Sequence, residues 1–285
     1  MRRVRPYHTP QPNTRQRHLG RWPRLIVVGV ALALAGLSQL PSRTWLTRPA
    51  AEVHDHLAAF PPIVLWAWER PELLDFIDPH AVGVAFLART LYLSGSGVIV
   101  RPRLQPLSVP HETKLMAVVR LEADRLRPPD LSLRQLEMVT EAITEVSGVH
   151  GIRALQVDFD VGVSQRAFYR DVLQQLRRQL PAAMPLSITA LASWCIYDDW
   201  LTGLPVDEAV PMVFRMGVDE DRIRRHLAHG EFRAAACRHS LGLSTDEPLP
   251  TLRARRRLYL FHPHAWRPEA MTSMFEEVGR WSALP

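Results

Sequence analysis

The chain has 285 residues, of which 47% are hydrophobic and only 14 are glycine. This composition supplies a large core and excludes a disordered or collagen-like chain, and the length suits one domain of TIM-barrel size. The formal charge is +6, but seven arginines lie in the first 24 residues and the remainder is close to balanced. The excess charge therefore indicates targeting, and we expect no nucleic-acid partner.

The amino-terminal 60 residues predict export or membrane tethering. Residues 1–24 form a basic cytoplasmic head, and residues 25–40 then run for 16 positions without a charge. A spanning helix needs about 20 residues and a signal-peptide core is shorter than this run, so a retained anchor and a cleaved signal both stay open. Ala33, Ala35 and Gly36 could form the cleavage site. In either case the arginines stay inside, and the part after the linker at 41–60 is expected in the periplasm or outside the cell.

From residue 61 onward, apolar and β-branched runs alternate with turn signals and amphipathic stretches. Such runs are typical of parallel strands covered by helices. The sequence predicts eight strands, at residues 63–68, 82–87, 115–121, 154–159, 186–193, 209–214, 240–244 and 258–261, and helices at 131–146, 164–180 and 269–281.

Eight strands of this kind predict an α/β fold, a (β/α)8 barrel of the TIM type over residues 61–285. Residues 98–107 look like an extra hairpin arm, so the predicted barrel is irregular. An open α/β sheet is the alternative.

Polar residues recur where the predicted strands end. Barrel enzymes keep their sites at the carboxyl ends of the strands, so these residues are candidates for a functional site. They are Glu69, Glu122, Asp158, Asp160, Asp198, Asp199, Arg215, Asp246, Glu247 and His262.

The fourth predicted strand reads ALQVDFD over residues 154–160. Side chains alternate along a strand, so Gln156, Asp158 and Asp160 share one face, and the apolar residues between them face the helices. The polar face should therefore point into the barrel. Two inward carboxylates about 7 Å apart repel each other, so at least one should have a raised pKa, as general acid or base chemistry near neutral pH requires. A structural carboxylate network, with backbone amides or Arg215, is the alternative.

This strand resembles the signature strand of chitinase-like glycoside hydrolases, in which alternating aspartates lead to a catalytic glutamate. The position of that glutamate is Gly162 in this sequence, so the mechanism of those enzymes does not carry over unchanged. The motifs VLWAWER, GVAFLART, LQVDFD, SITALASWC, VPMVFRMG and STDEP, within residues 61–266, more closely resemble an uncharacterised bacterial glycosidase-like TIM-barrel family, the domain of unknown function 3142 family. That resemblance implies the fold more than an activity.

The sequence therefore predicts an exported or membrane-anchored glycoside hydrolase-like domain that acts on or binds an unidentified carbohydrate. The catalytic candidates are Asp158, Asp160, Glu122 and Glu69, and the candidates for substrate binding are Arg215, Trp194, Gln156 and Asp246.

Two other functions remain open at this point. One is a non-catalytic module that binds a glycan or assists envelope assembly. The other is a metal-assisted hydrolase in which His262 and His264 join Asp158 or Asp160. The sequence has no phosphate-cradling glycine loop, nucleophile elbow or CxxC motif, so no cofactor is expected.

The two cysteines are predicted to stay apart. Cys195 follows its strand and Cys237 precedes its own, which would place them toward opposite ends of a parallel barrel. A strand of about seven residues spans roughly 23 Å, whereas a disulfide requires Cα atoms within about 7 Å. We therefore expect no disulfide between them.

Overall fold

The computed structural model describes residues 57–250 and 256–282. The predicted basic head, the apolar segment and most of the linker lie outside these residues, so export and anchoring stay predictions. Within the two described ranges, no helix combines the length and the apolar character needed to cross a bilayer.

Eleven strands and five α-helices follow one another along the described residues. They are β1 (Ile63–Ala67), β2 (Glu72–Leu73), β3 (Val82–Ser94), β4 (Gly97–Pro102), β5 (Leu107–Ser108), β6 (Leu115–Ala123), α1 (Leu133–Ser147), β7 (Ile152–Asp158), α2 (Arg166–Gln179), β8 (Leu186–Leu191), α3 (Ala192–Tyr197), β9 (Glu208–Met212), α4 (Glu220–His229), β10 (Ser240–Ser244), β11 (Arg257–Phe261) and α5 (Pro268–Ser282).

Eight parallel strands close into a barrel in the order β1, β3, β6, β7, β8, β9, β10 and β11. The closure is made by β1, which pairs in parallel with β3 on one side and with β11 on the other. The predicted TIM-type barrel is therefore confirmed, and the open sheet is excluded. All eight predicted strands are present, and the predicted hairpin arm is β4, which pairs antiparallel with the extended carboxyl half of β3.

Side-chain alternation divides the apolar residues into two cores. Residues such as Leu155 and Val157 of β7 face outward and pack with the helices, whereas Val64 and Ala154 face into the barrel. The amino-terminal end of the barrel is filled by the chain that precedes β1, where Leu57 and Phe60 are buried against the inner core. These two belong to the predicted linker, so its last residues contact the barrel.

An ion pair lies inside the barrel at its amino-terminal end. Glu208 of β9 is fully buried, and Arg257 of β11 approaches it with Nη1 at 3.1 Å from Oε2. The hydroxyls of Tyr259 and Ser187 donate to the other carboxylate oxygen. Because a buried charge is tolerated only when it is paired and hydrogen-bonded, this arrangement accounts for an acidic residue within an otherwise apolar strand.

The structure joins Cys195 and Cys237 in a disulfide with 5.9 Å between the Cα atoms, so the prediction that they stay apart is wrong. The prediction placed Cys195 directly beyond its strand, but β8 already ends at Leu191 and Cys195 lies in α3. Cys237 likewise lies outside its strand, in the connection between α4 and β10, and this connection contacts α3. The Ala234 N–H donates to the Cys195 carbonyl at 3.1 Å and ties the segment before Cys237 to α3.

We expect replacement of both Cys195 and Cys237 by serine to lower the free energy of unfolding by about 4 kcal/mol, because a cross-link across 42 residues restricts the unfolded chain. Urea denaturation of the oxidised protein and of the double variant measures the difference. Free thiols in native, unreduced protein, detected by mass spectrometry, would contradict the assignment.

Candidate functional site

A cavity of about 320 Å³ opens at the carboxyl ends of the barrel strands. We call it the mouth cavity. It is lined by Trp66, Trp68, Val118, Arg120, Gln156, Asp158, Asp160, Thr189, Met212, Phe214, Arg215 and Phe261. Its size is at the lower end of the range of small-molecule sites, and it combines apolar walls with a few converging polar groups.

The floor of the cavity is fixed by hydrogen bonds to Gln156, which is fully buried. Its side-chain oxygen accepts from Trp66 Nε1 at 3.0 Å, and its nitrogen donates to Ser187 Oγ at 3.1 Å. Ser187 in turn donates to Glu208, so the floor is connected to the ion pair at the amino end of the barrel. The Trp66 indole lies against Gly242, where an added Cβ would stand only 3.1 Å from the ring. Glycine at this position therefore makes room for the tryptophan.

Asp158 lies on the wall directly above this floor. Its side chain is 13% exposed, Thr189 Oγ1 donates to Oδ1 at 2.7 Å, and Arg120 Nε lies 3.9 Å from Oδ2. Burial raises the pKa of Asp158 above its usual range, and the charges of Asp160 and Glu122 raise it further, although Thr189 and Arg120 oppose the shift. The inward face and the raised pKa of Asp158 agree with the sequence prediction, whereas β7 ends at this residue and Asp160 lies beyond the strand.

Asp160 is exposed and lies at the rim, where the mouth cavity meets a second cavity of about 550 Å³. We call the second one the side cavity. Among the described residues, the Asp160 carboxylate has no hydrogen-bond or ion-pair partner. Gly162 and Trp194 line the side cavity beside it.

The two glutamates predicted as catalytic do not line the mouth cavity. Glu122 is paired with Arg120, with 2.9 Å between Oε1 and Nε, and acts on Asp158 only through its charge. Glu69 faces Arg101 of the β4 arm at 3.4 Å. The sequence cannot show this pairing, because the arm returns to the end of β1 only in the folded chain.

Arg215 is held in place at the rim by two carboxylates from the loop after β10. Its Nη2 lies 2.9 Å from Asp246 Oδ2 and its Nη1 lies 3.2 Å from Glu247 Oε1. Its backbone has a φ of 49°, a conformation that non-glycine residues seldom adopt, and Glu247 accepts the backbone N–H at 3.0 Å. The hydrogen bond from Arg215, together with one from Ser244, lowers the pKa of Asp246 to about 2. Asp246 therefore orients Arg215 and does not itself line the cavity.

Aromatic rings form much of the apolar wall. Phe214 and Phe261 stack with an interplanar angle of 5° and a centroid separation of 5.7 Å. The Arg215 guanidinium lies 5.8 Å from the Phe261 centroid, and the Arg120 guanidinium lies 5.3 Å from that of Trp68. Trp194, a candidate for substrate binding, is buried and packs edge-on against Trp200 at 5.1 Å, and it also contributes to the lining of the side cavity.

The metal hypothesis finds no support in the described part of the chain. No group of three His, Cys, Asp or Glu side chains there could hold an ion. His262 instead contacts Thr245 and packs against Trp266, with 5.0 Å between the ring centroids. Burial lowers the pKa of His262, and the neighbouring His264 lowers it further.

Sequence reasoning missed Arg120, Thr189 and Phe261. The signal for Arg120 was present, since it lies two residues before Glu122 on the same face of β6. Thr189 is the second residue after Ser187 on the inward face of β8, so alternation could have identified it as well. Phe261 belongs to an apolar strand, so the sequence does not show which of its residues face into the barrel and which face the helices. The closed barrel is needed to tell them apart.

The barrel and its mouth cavity define a TIM-type protein with a cluster of acidic, basic and aromatic groups at the carboxyl ends of the strands. In sequence, residues 112–214, which include β6 to β9, match a family described as a domain of unknown function, DUF3142. This match agrees with the resemblance seen in the motifs of the sequence, and the family description states no activity. No curated protein matches the chain.

Among solved structures, the chain is similar to a chitinase from Rhizomucor miehei. The identity is 11%, the alignment covers 64% of this chain and 68% of that chain, and the TM-score is 0.38. The assignment of the fold rests on the strand pairing of this chain itself.

We expect Asp158→Asn to stabilise the protein more at pH 7 than at pH 4. The pKa of Asp158 in the folded protein lies above its ordinary value of 3.8. As the pH rises above 3.8, Asp158 therefore ionises first in the unfolded chain, and the wild type loses stability. The asparagine variant does not ionise and avoids the loss. Melting temperatures across this pH range test the effect, with Asp171→Asn on the exposed face of α2 as the control. A difference from wild type that does not change with pH would contradict the raised pKa.

Proposed function

We propose that the barrel binds a glycan in the mouth cavity and hydrolyses a glycosidic bond there. The observation that carries this proposal is the pair of carboxyl groups at the carboxyl end of β7, Asp158 with a raised pKa and Asp160 open to solvent, beside an aromatic wall. Glycoside hydrolysis requires two carboxyl groups whose environments keep one protonated and the other ionised.

In this proposal Asp158 holds the proton and Asp160 the negative charge. The protonated carboxyl of Asp158 donates to the leaving glycosidic oxygen, and Asp160 stabilises the positive charge that develops on the sugar ring. Water supplies the hydroxyl group that the cleaved sugar gains, and the other proton of that water returns to the Asp158 carboxylate. Arg120 lies close to Asp158 and opposes part of the rise in its pKa.

The aromatic rings supply the binding surface. Sugar rings present apolar C–H faces, and the stacked Phe214 and Phe261 and the neighbouring Trp68 offer flat apolar surfaces at the rim. Arg215, fixed by Asp246 and Glu247, is placed to orient sugar hydroxyl groups.

A non-catalytic glycan-binding module is the second candidate, and Gly162 favours it. This residue stands where chitinase-like enzymes carry their glutamate, and it lines the side cavity beside Asp160. Its φ of −73° is accessible to any residue, and an added Cβ would meet only Gln165 Oε1, at 3.5 Å. Steric constraints therefore do not require glycine at this position. The missing carboxylic acid is a functional difference from chitinase-like enzymes.

We further propose that the domain works outside the cytoplasm. The arginine-rich head and the apolar run at 25–40 support export. The Cys195–Cys237 disulfide supports it independently, because disulfides persist in oxidising compartments and are rare in the cytosol.

We expect Asp160→Asn to lower the rate of glycan hydrolysis by about 10²- to 10³-fold without lowering the melting temperature, because the charge that stabilises the transition state is lost. The change keeps the shape of an exposed side chain and removes its charge. Wild type, Asp160→Asn and the control Asp171→Asn are assayed for turnover and for binding on a panel of envelope and storage polysaccharides. Binding by wild type without turnover would establish the non-catalytic module. A melting temperature lower by many degrees in Asp160→Asn would make this residue structural and would overturn the site.

For export, a reporter fused after Pro285 should be active only if that reporter works outside the cytoplasm. Paired fusions to a periplasmic and a cytoplasmic reporter measure this, and deletion of residues 2–40 provides the control. A stronger signal from the cytoplasmic reporter on the full chain would overturn the export proposal.

A further inference from the structure

Among the described residues, the arginines that line the mouth cavity are paired with carboxylates, but one carboxylate has no cation beside it. Arg120 lies 2.9 Å from Glu122 and 3.9 Å from Asp158, so this guanidinium already faces two carboxyl groups. Arg215 likewise faces Asp246 and Glu247, and Arg224 lies behind Glu247 at 3.8 Å. Each cation that lines the cavity is therefore matched, whereas Asp160 adds a carboxylate with no cation among the described residues.

This balance discriminates between ligands of different charge. An anionic ligand would have to compete with the carboxylates that already hold Arg120 and Arg215, and it would approach Asp160. A neutral ligand that covered Asp160 would remove water from a charged group without replacing it by an opposite charge, which costs free energy. A cationic ligand would pair with Asp160 and gain a charge-assisted hydrogen bond.

The aromatic wall suits the apolar face of a sugar ring and not its charge. The guanidinium groups of Arg120 and Arg215 already lie over Trp68, Phe214 and Phe261. A positive group on the ligand therefore has to pair with Asp160.

The position of Asp160 also indicates the size of the ligand. This residue lines both the mouth cavity and the side cavity, as do Met212, Phe214 and Arg215. A ligand that fills both cavities passes across Asp160, so a chain of at least two sugar units fits the combined site better than a single sugar does.

We propose that the ligand is an oligosaccharide that carries free, protonated amino groups, and that the carboxylate of Asp160 binds one such ammonium group where the two cavities meet. This inference rests on the proposed function, because it specifies the substrate class of the same site.

The test compares three oligosaccharides of equal length: a β-1,4-linked glucosamine oligomer, its fully N-acetylated form and the neutral glucose oligomer. Binding to the full-length protein is measured by isothermal titration calorimetry at low and at high salt. The amino oligomer should bind about tenfold or more tightly than the N-acetylated one, as expected for one charge-assisted hydrogen bond. The advantage should shrink at high salt because salt screens exposed charges.

The variants assign the effect to one residue. Asp160→Asn should remove the preference for the amino oligomer, and the neutral oligomer should bind somewhat more tightly because it no longer has to desolvate a charged group. Asp171→Asn removes an equal charge from the exposed face of α2 and should retain the preference.

The outcomes separate the two proposals. Equal or tighter binding of the N-acetylated or neutral oligomer by wild type would overturn the preference for amines while the site remains a glycan site. Loss of the preference in both variants would show a general charge effect and would overturn the role of Asp160. Absence of binding by all three oligomers, and by the wider polysaccharide panel, would overturn the proposed function itself.

Discussion

The closure of eight parallel strands by β1, which pairs with both β3 and β11, determines the rest of this structure. Closure leaves every barrel strand hydrogen-bonded on both sides, and alternation then directs every second side chain into the interior. The same rule that buries Val64 and Ala154 in the inner core places Asp158 at the mouth. The outward residues of these strands pack with the helices and hold the barrel in shape.

A polar chain runs through this otherwise apolar interior. It leads from the Glu208–Arg257 ion pair through Ser187 to Gln156 and Trp66 on the cavity floor. The links from Glu208 to Trp66 are hydrogen bonds between buried groups, so each member restricts the orientation of the next, as expected in a low-dielectric interior. The floor of the site is therefore supported from the opposite end of the barrel, which restricts the positions of Gln156 and Trp66.

The fold followed from local patterns because each strand and helix carries its own periodicity. The alternation in ALQVDFD was sufficient to place Gln156 and Asp158 on the inward face, since it depends only on neighbouring residues. The sequence did not reveal the roles of Glu69 and Glu122, although both residues also stand at strand ends. Each is paired with an arginine, one on the β4 arm and one on β6, and those pairings decide which carboxyl groups remain to line the cavity.

The sequence by itself determined the eight strands, the extra arm after the second and the inward face of β7, because these depend on hydrophobic periodicity over short stretches. Only the tertiary structure decided the Cys195–Cys237 bond, because it depends on the contact between α3 and the connection before β10. The burial of Trp194 and the unmatched charge of Asp160 were decided in the same way. A residue's partners come from distant segments, and periodicity carries no information about which segments meet.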